Sequence, residues 1–386
     1  MSQTTTQAPV VRTDFPGGRL GVAQWVAPGH LRAILYREWD ETQTNTQGTW
    51  FYFRLENVKN VPLTIEIIGL CDIYGTRPGP SITAGSKPMF SYDNATWEHL
   101  MDAQWDPGAG ISLTFKITPE ADIVWIALIE PYTQEHLDRL VADHAGNPYL
   151  VRETAGLSFE GREIPLWTVT DPAAPAEGKK VIWLMARQHA WETYTSYCLD
   201  GLSRFLLSDT PEAAELRRRL IVKILPWMDP DGVERGGTRF NRLGYDINRH
   251  WDLDLNDPKA CAAMPEIAAG KRAIKAWLDA GNRIDLFLSF HDTVGDLLIV
   301  PWDLADDPRI KSLFVRMKAI GFSANSISRS RPITTVSVSL YTEYGVPGAI
   351  VELGTTHLPA LGRQVTAGDW VRFGEKLASV LGEYDR

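Results

Sequence analysis

The chain has 386 residues, long for one domain and comfortable for two. With 44% hydrophobic and 23% charged residues it has the balance of an ordinary globular protein. Its net charge of −9, from 39 basic and 48 acidic residues, argues against a general nucleic-acid or anionic-membrane surface. The three cysteines, Cys71, Cys198 and Cys261, are few and widely separated, which disfavours a disulfide framework and favours a reducing compartment. The N-terminus "MSQTTTQAPVVRTDF" is polar and lacks the basic and apolar regions of a signal peptide. No stretch approaches the ~18 apolar residues of a membrane span. The expectation is a cytoplasmic protein with neither a nucleic-acid nor a membrane partner.

From about residue 15 to 130 the pattern is all-β. In "GTWFYFRLENV" the residues Phe51, Phe53 and Leu55 share one face and Tyr52, Arg54 and Glu56 the other, a period of two. "LTIEIIGL", "ISLTFKI" and "ADIVWIALI" follow the same reading, and Asp93-Asn94 marks a tight turn between aromatic strand residues. Short strands at regular spacing predict a small β-sandwich over residues 1–132.

Near "EPYTQEHLDRLVADH" the character changes. Leu137, Leu140 and Val141 have helical spacing, and strand-like and helix-like segments alternate from there to the end. "EIPLWTV", "KKVIWLMA", "IVKILP", "RIDLFLSF", "VSVSLYTEY" and "GAIVEL" read as strands. "YTSYCLDGLSRFLLS", "PEAAELRRRL", "AAGKRAIKAWLDA" and "GDWVRFGEKLASVLGEY" read as helices. This predicts an α/β domain with a mixed sheet over residues 133–386.

Polar groups stand at the ends of three of the apolar strands. His189 and Glu192 follow "VIWLM", His291 follows "IDLFLSF", and Glu352 lies in "GAIVEL". Functional side chains of α/β sheets gather beyond the carboxyl ends of strands, so these four can converge. Two imidazoles and a carboxylate suit one Zn²⁺ with an open fourth position, and Glu352 is then placed as general base beside a metal-activated water. Each also has a plain reading: Glu192 suits a first helical turn, and a His after a strand is often a hydrogen-bonded turn residue. The long irregular stretch "PWMDPDGVERGGTRFNRLGYDINRHWD" is unusual for a compact domain. In it Arg239, Arg242 and Arg249 can offer guanidinium forks to carboxylates, or simply face water.

"ARQHAWETYTSYCLDGLSRFLLSD", "LPWMDPDGVERGGTRFNRLGYDINRHW", "FLSFHDT" and "GAIVEL" together resemble the zinc metallocarboxypeptidases, most of all the cytosolic carboxypeptidases. "FPGG", "WFYFRLENV" and "SYDNATW" resemble the β-sandwich that precedes the catalytic domain in cytosolic members, so the resemblance covers nearly the whole chain. It implies a mixed-sheet carboxypeptidase domain with one Zn²⁺ held by His189, Glu192 and His291, and with Glu352 as base. It implies that Arg239 polarises the scissile carbonyl, that Asn248 and Arg249 hold the substrate's terminal carboxylate, and that Asp246 orients a ligand histidine. The implied partner is a peptide or protein C-terminus.

The sequence departs from the family at Ala190-Trp191, where Pro-Gly is usual, and at Asp229, where Asn is usual. The family's substrate-closing Tyr has no counterpart in residues 322–340, and Tyr341 and Tyr344 are only nearby. Arg329 and Arg331 would favour an acidic terminal residue and Asp292 and Asp296 a basic one, while the simplest reading makes all four surface charges. Two other functions fit the same scaffold: a zinc amide hydrolase acting on acyl-amino acids or cell-wall peptides, and a non-catalytic peptide-binding module.

Overall fold

Alternation along Tyr52–Glu56 becomes a strand in which Phe53 and Leu55 are fully buried while Arg54 and Glu56 reach partly to the surface. Tyr52 is the exception. It is buried against the rings of Phe15 and Trp125. The computed structural model describes residues 7–74, 77–79, 82–108 and 111–384. Before residue 128 two five-stranded sheets form. One runs Val10–Arg12, Tyr52–Glu56, Ile123–Ala127, Met89–Ser91, Glu98–His99; the other Gln104–Asp106, Ser112–Ile117, Leu63–Ile68, His30–Ile34, Val22–Ala27. Phe53, Leu55, Val124 and Ile126 of the first share one core with Leu31, Ala33, Ile65, Ile67, Leu113 and Phe115 of the second, as a sandwich requires. Asn94, at φ 59°, makes the anticipated turn, and Met89 then pairs with His99.

A third sheet was not anticipated. Glu38–Trp39, Asn45–Gln47, Asp72–Tyr74 and Arg77–Gly79 pair antiparallel in that order. Strands of two or three residues are too short to display a period.

The second half is built on an eight-stranded mixed sheet: Leu150–Leu157, Glu163–Val169, Leu220–Leu225, Lys180–Met185, Leu286–Thr293, Gly348–Gly354, Leu297–Pro301, Ile327–Ser330. The four strands from Leu220–Leu225 to Gly348–Gly354 are parallel neighbours, and so share one carboxyl end. Successive residues of Lys180–Met185 supply two different cores. Ile182 and Leu184 pack with Leu199, Leu202 and Leu377, whereas Val181, Trp183 and Met185 pack with Ile267, Ala268 and Ile274. The sheet is therefore covered on both faces, which is why its strands read as continuous apolar runs.

The segment 336–344 overturns one expectation. "VSVSLYTEY" is a helix, Val336–Tyr344, ended by Gly345 in the left-handed conformation at φ 68°. Its valine–serine alternation does not separate a wet face from a dry one, because Val336 through Leu340 are all buried. Val336 and Leu340, one turn apart, enter the same core as Ile247 and Trp251, while the Ser339 hydroxyl bonds Trp251 O at 2.8 Å. Burial on all sides overrides β-propensity here. Among the described residues no helix is long and apolar enough to cross a membrane.

The helices Thr193–Leu206 and Ala367–Gly382 pack on each other at paired glycines. A Cβ on Gly201 would overlap the carbonyl oxygen of Val371, and one on Gly374 that of Cys198. Overpacking costs about 1–3 kcal/mol. Gly374→Ala is therefore expected to lower the urea midpoint clearly; an unchanged midpoint would mean that the helices do not meet this closely.

Candidate active site

Beyond Met185 the chain remains laced to the segment after Leu225: Ala186 N–H bonds Leu225 O at 3.0 Å and Asp229 N–H bonds Arg187 O at 2.9 Å. Arg187 is left-handed at φ 55°, a conformation uncommon outside glycine. Its buried guanidinium holds it there, donating to Tyr132 O at 3.1 Å, Ser196 Oγ at 3.2 Å and Ala190 O at 2.6 Å, and lying over the Trp227 ring. The turn so fixed carries His189 and Glu192, which are 2% and 3% exposed. Glu192 occupies the N-cap of the following helix, yet its side chain makes no cap hydrogen bond. It is turned instead toward the histidines.

His189 Nδ1 lies 2.7 Å from Glu192 Oε1, His291 Nδ1 lies 2.9 Å from Glu192 Oε2, and the two Nδ1 atoms are 3.2 Å apart. These residues can offer one ligand atom each within 4.8 Å of one another. The surroundings favour a cation at their centre. His189 Nε2 faces Asp246 Oδ1 at 3.0 Å, a group that only accepts, so the neutral ring carries its proton there and turns the Nδ1 lone pair inward. Glu192 Oε2 is buried without a hydrogen-bond donor. His291 Nε2 sits between Gln188 Oε1 at 3.0 Å, an acceptor, and Asn248 Nδ2 at 3.1 Å, a donor. A cation at Nδ1 requires the tautomer in which Gln188 accepts. Nitrogen and carboxylate donors of this kind suit Zn²⁺. Burial works to raise the Glu192 carboxyl, but His189 and His291, when protonated, hold it below its ordinary value.

Parallel register sets Glu352 directly beside His291 on the neighbouring strand. Burial raises the Glu352 carboxyl above its ordinary value, against the pull of His291. His189, Glu192, His291, Glu352, Arg239, Asn248 and Arg249 all line a single cleft of about 260 Å³. Asp246 stands behind it, its Oδ2 accepting Arg239 Nε–H at 2.7 Å. Burial opposes the Asp246 charge, yet Arg239 and His189 keep its carboxyl well below the usual range. Arg249 is exposed, and among the described residues its side chain makes one hydrogen bond, from Nη1 to Asn248 O at 2.8 Å. Asn248 is more committed: besides its contact with His291, its Oδ1 accepts Val336 N–H at 3.0 Å. A larger hollow of about 760 Å³ lies between the helix Gln134–Asp143 and the strand Glu163–Val169, without such a convergence of donors.

The other sequence candidates separate. Arg242 is exposed and pairs with Glu160 at 3.3 Å, away from the cleft. Asp292 and Asp296 are not surface charges but are 3% and 7% exposed. Asp292 accepts Tyr194 N–H at 2.9 Å and lines the cleft; Asp296 accepts Gly354 N–H at 2.8 Å. Arg329 pairs with Asp306 at 2.7 Å, and both Arg329 and Arg331 lie over Trp302. Trp191, 4% exposed, forms part of the cleft wall. The irregular stretch after Pro226 is largely buried and contains a short helix, Pro230–Glu234, so a wholly solvated loop is excluded.

Sequence reasoning missed several residues here. Gln188 is fully buried next to His189, its Nε2 donating to Ile247 O at 2.9 Å and its Oε1 accepting from Ser289 Oγ at 2.7 Å. The period of two on the strand Leu286–Thr293, which puts Ser289 on the face of His291, is a signal that could have found the pair. Gln47 and Tyr74, also on the cleft wall, come from the unanticipated third sheet and had no local signal. That sheet also grips the arginine loop. Glu38 Oε2 accepts Arg239 N–H at 2.8 Å and Phe240 N–H at 3.2 Å.

Asp229 explains one departure from the family pattern. It caps Pro230–Glu234 by accepting Gly232 N–H at 2.8 Å, its Oδ2 is buried without a partner, and burial raises its carboxyl to about 7. An amide has the shape of the protonated acid and caps equally well. Between an unfolded value of 3.8 and about 7 the folded chain holds a proton that the unfolded chain has released, so stability falls as pH rises through that window. Asp229→Asn should match wild type near pH 4 and exceed it increasingly toward pH 7 in urea midpoint; parallel curves would refute this.

Comparison with known proteins agrees with this picture. A model described as zinc carboxypeptidase matches residues 136–352, and one described as cytosolic carboxypeptidase N-terminal domain matches residues 11–128. Cytosolic carboxypeptidase 6 of Mus musculus is 31% identical over 255 residues, covering 63% of this chain and 46% of that one. Cytosolic carboxypeptidase 2 of Macaca fascicularis is 29% identical over 285 residues, covering 68% and 32%. The chain thus spans about half or less of the length of these relatives. In fold it is similar to a metallo-carboxypeptidase from Burkholderia cenocepacia, with TM-score 0.81 at 21% identity over 97% of this chain and 98% of that one. A metallo-carboxypeptidase from Pseudomonas aeruginosa, in complex with (2-guanidinoethylmercapto)succinic acid, gives 0.81 at 23% identity over the same shares. The chain belongs to the zinc carboxypeptidase family.

Proposed function

We propose that this protein is a zinc-dependent metallocarboxypeptidase that releases the C-terminal residue of peptides or proteins. Residues 133–386 carry the chemistry in this reading, and residues 1–132 form a β domain packed against them. The observation that carries it is the convergence of two imidazole Nδ1 atoms and the Glu192 carboxylate in a cleft that also holds Glu352, Arg239 and Arg249. The names of the relatives support a cytosolic site of action.

Zinc, held by His189, Glu192 and His291, supplies Lewis acidity that polarises a carbonyl and acidifies water. The remaining work falls to the chain. Glu352, whose raised affinity for protons suits a shuttle, takes a proton from the attacking water and passes it to the leaving amine as the peptide C–N bond breaks. Arg239, held by Asp246, donates to the carbonyl oxygen as negative charge develops on it. Arg249 offers its free N–H groups to the substrate's terminal carboxylate, so only a chain end fits. Asn248 lies beside it with its Oδ1 engaged by Val336 N–H, and its Nδ2 can join Arg249 in this binding.

The decisive comparison is a peptide against its C-terminally amidated form. Amidation should reduce kcat/KM by about tenfold to a hundredfold, the worth of a hydrogen bond to a charged group, and Arg249→Ala should cost as much on the free peptide. Equal rates for both peptides would favour an amide hydrolase without carboxylate recognition. Glu352→Gln is expected to retain one zinc per chain by metal analysis while losing about a hundredfold to ten-thousandfold in kcat. Full turnover in that variant would remove Glu352 from the role of base.

A further inference from the structure

The cleft is not built by the second half of the chain alone. Gln47 and Tyr74 on its wall lie on adjacent antiparallel strands of the small third sheet, with Asn45 paired to Tyr74. The two side chains differ in availability. Gln47 is buried and donates to Asn45 Oδ1 at 2.6 Å. Tyr74 is 42% exposed, and its hydroxyl has no hydrogen-bond partner among the described residues. It is also the only tyrosine on the cleft wall among those residues; Tyr341 and Tyr344, nearest Glu352 in sequence, do not reach it.

Tyr74 stands close to the cationic part of the cleft. Tyr74 and Arg239 line the same wall of residues around the cleft, where Arg239 is held by Asp246. The sheet that carries Tyr74 is also fastened to the arginine loop. Glu38 accepts the backbone N–H groups of Arg239 and Phe240, and Glu41 N–H bonds Gly244 O at 3.1 Å. On the strand of Tyr74 itself, Asp72 is 1% exposed and accepts the Thr49 hydroxyl at 2.7 Å. The phenol is thus held at the cleft by its backbone, and its hydroxyl is open to solvent and available to a ligand. Tyrosine joins an apolar ring to a hydroxyl donor and loses little conformational freedom on binding, which suits it to a peptide backbone.

We propose that Tyr74 is a substrate-binding residue, its hydroxyl donating to a backbone oxygen of the bound peptide beside Arg239, so that the N-terminal β region supplies part of the working surface. The inference rests on the carboxypeptidase reading for the identity of the ligand, a peptide with a free carboxyl end. It makes Gln47 and Asp72 supports of that surface and Tyr74 its contact.

The test uses the full-length, zinc-loaded protein. In the Glu352→Gln background, calorimetry measures the Kd of a free-C-terminus peptide with and without Tyr74→Phe. The substitution should weaken binding about tenfold, leaving zinc content and thermal midpoint unchanged. With Glu352 intact, Tyr74→Phe and Tyr74→Ala should raise KM more than they lower kcat. A Kd within twofold of the unsubstituted protein overturns the proposal. Absence of turnover by wild type on every free peptide would instead strike the carboxypeptidase reading and leave the binding comparison standing.

Discussion

One oxygen of Asp246 faces His189 Nε2 at 3.0 Å and accepts Asn248 N–H at 2.8 Å, while the other takes Arg239 Nε at 2.7 Å. A buried carboxylate without partners is costly; with these three it is a satisfied anion that organises positive and polar groups around it. It sets the tautomer that points His189 Nδ1 at Glu192 and His291. It also balances the Arg239 guanidinium, which is 8% exposed and would otherwise be an uncompensated charge in the fold. The candidate metal-binding cluster and Arg239 are therefore coupled through one side chain.

The rest of the architecture serves to bring groups to that point. Four parallel strands run side by side with their carboxyl ends toward the cleft, Met185 level with Ser289 and His291 level with Glu352, so the pairing of His291 with Glu352 leaves no freedom in their spacing. A slip of one residue would turn each side chain to the opposite face of the sheet. The loop that carries Asp246, Asn248 and Arg249 has no strand to hold it. Its position comes from capping by Asp229, from Glu38 of the small sheet, and from Trp251, whose indole N–H bonds Ile247 O at 2.8 Å. The N-terminal β region is in this sense a structural support of the site.

Much of the fold was legible because its signals are local. The period of two in Tyr52–Glu56, the apolar runs of Lys180–Met185 and Leu286–Thr293, and Pro211 at a helix start each depend on a few neighbouring residues. The segment 336–344 failed for a definite reason. Alternation predicts a strand only when one face is wet, and here every residue from Val336 to Leu340 is dry. The third sheet failed because its strands of two or three residues are defined by pairing across the chain.

What the sequence by itself determined is the chemistry on offer: two imidazoles and carboxylates at strand ends, arginines in an irregular loop, and the motifs that resemble a zinc carboxypeptidase. These are properties of residue type and short spacing. Only the tertiary structure decided which of them meet. It brought Arg239 and Arg249 to the cleft and left Arg242 outside, buried Asp292 and Asp296, engaged the Asn248 Oδ1 with Val336 N–H, and carried Tyr74 to the cleft wall. The physical reason is that convergence depends on strand register and on burial between distant segments, and neither is written in any single stretch of chain.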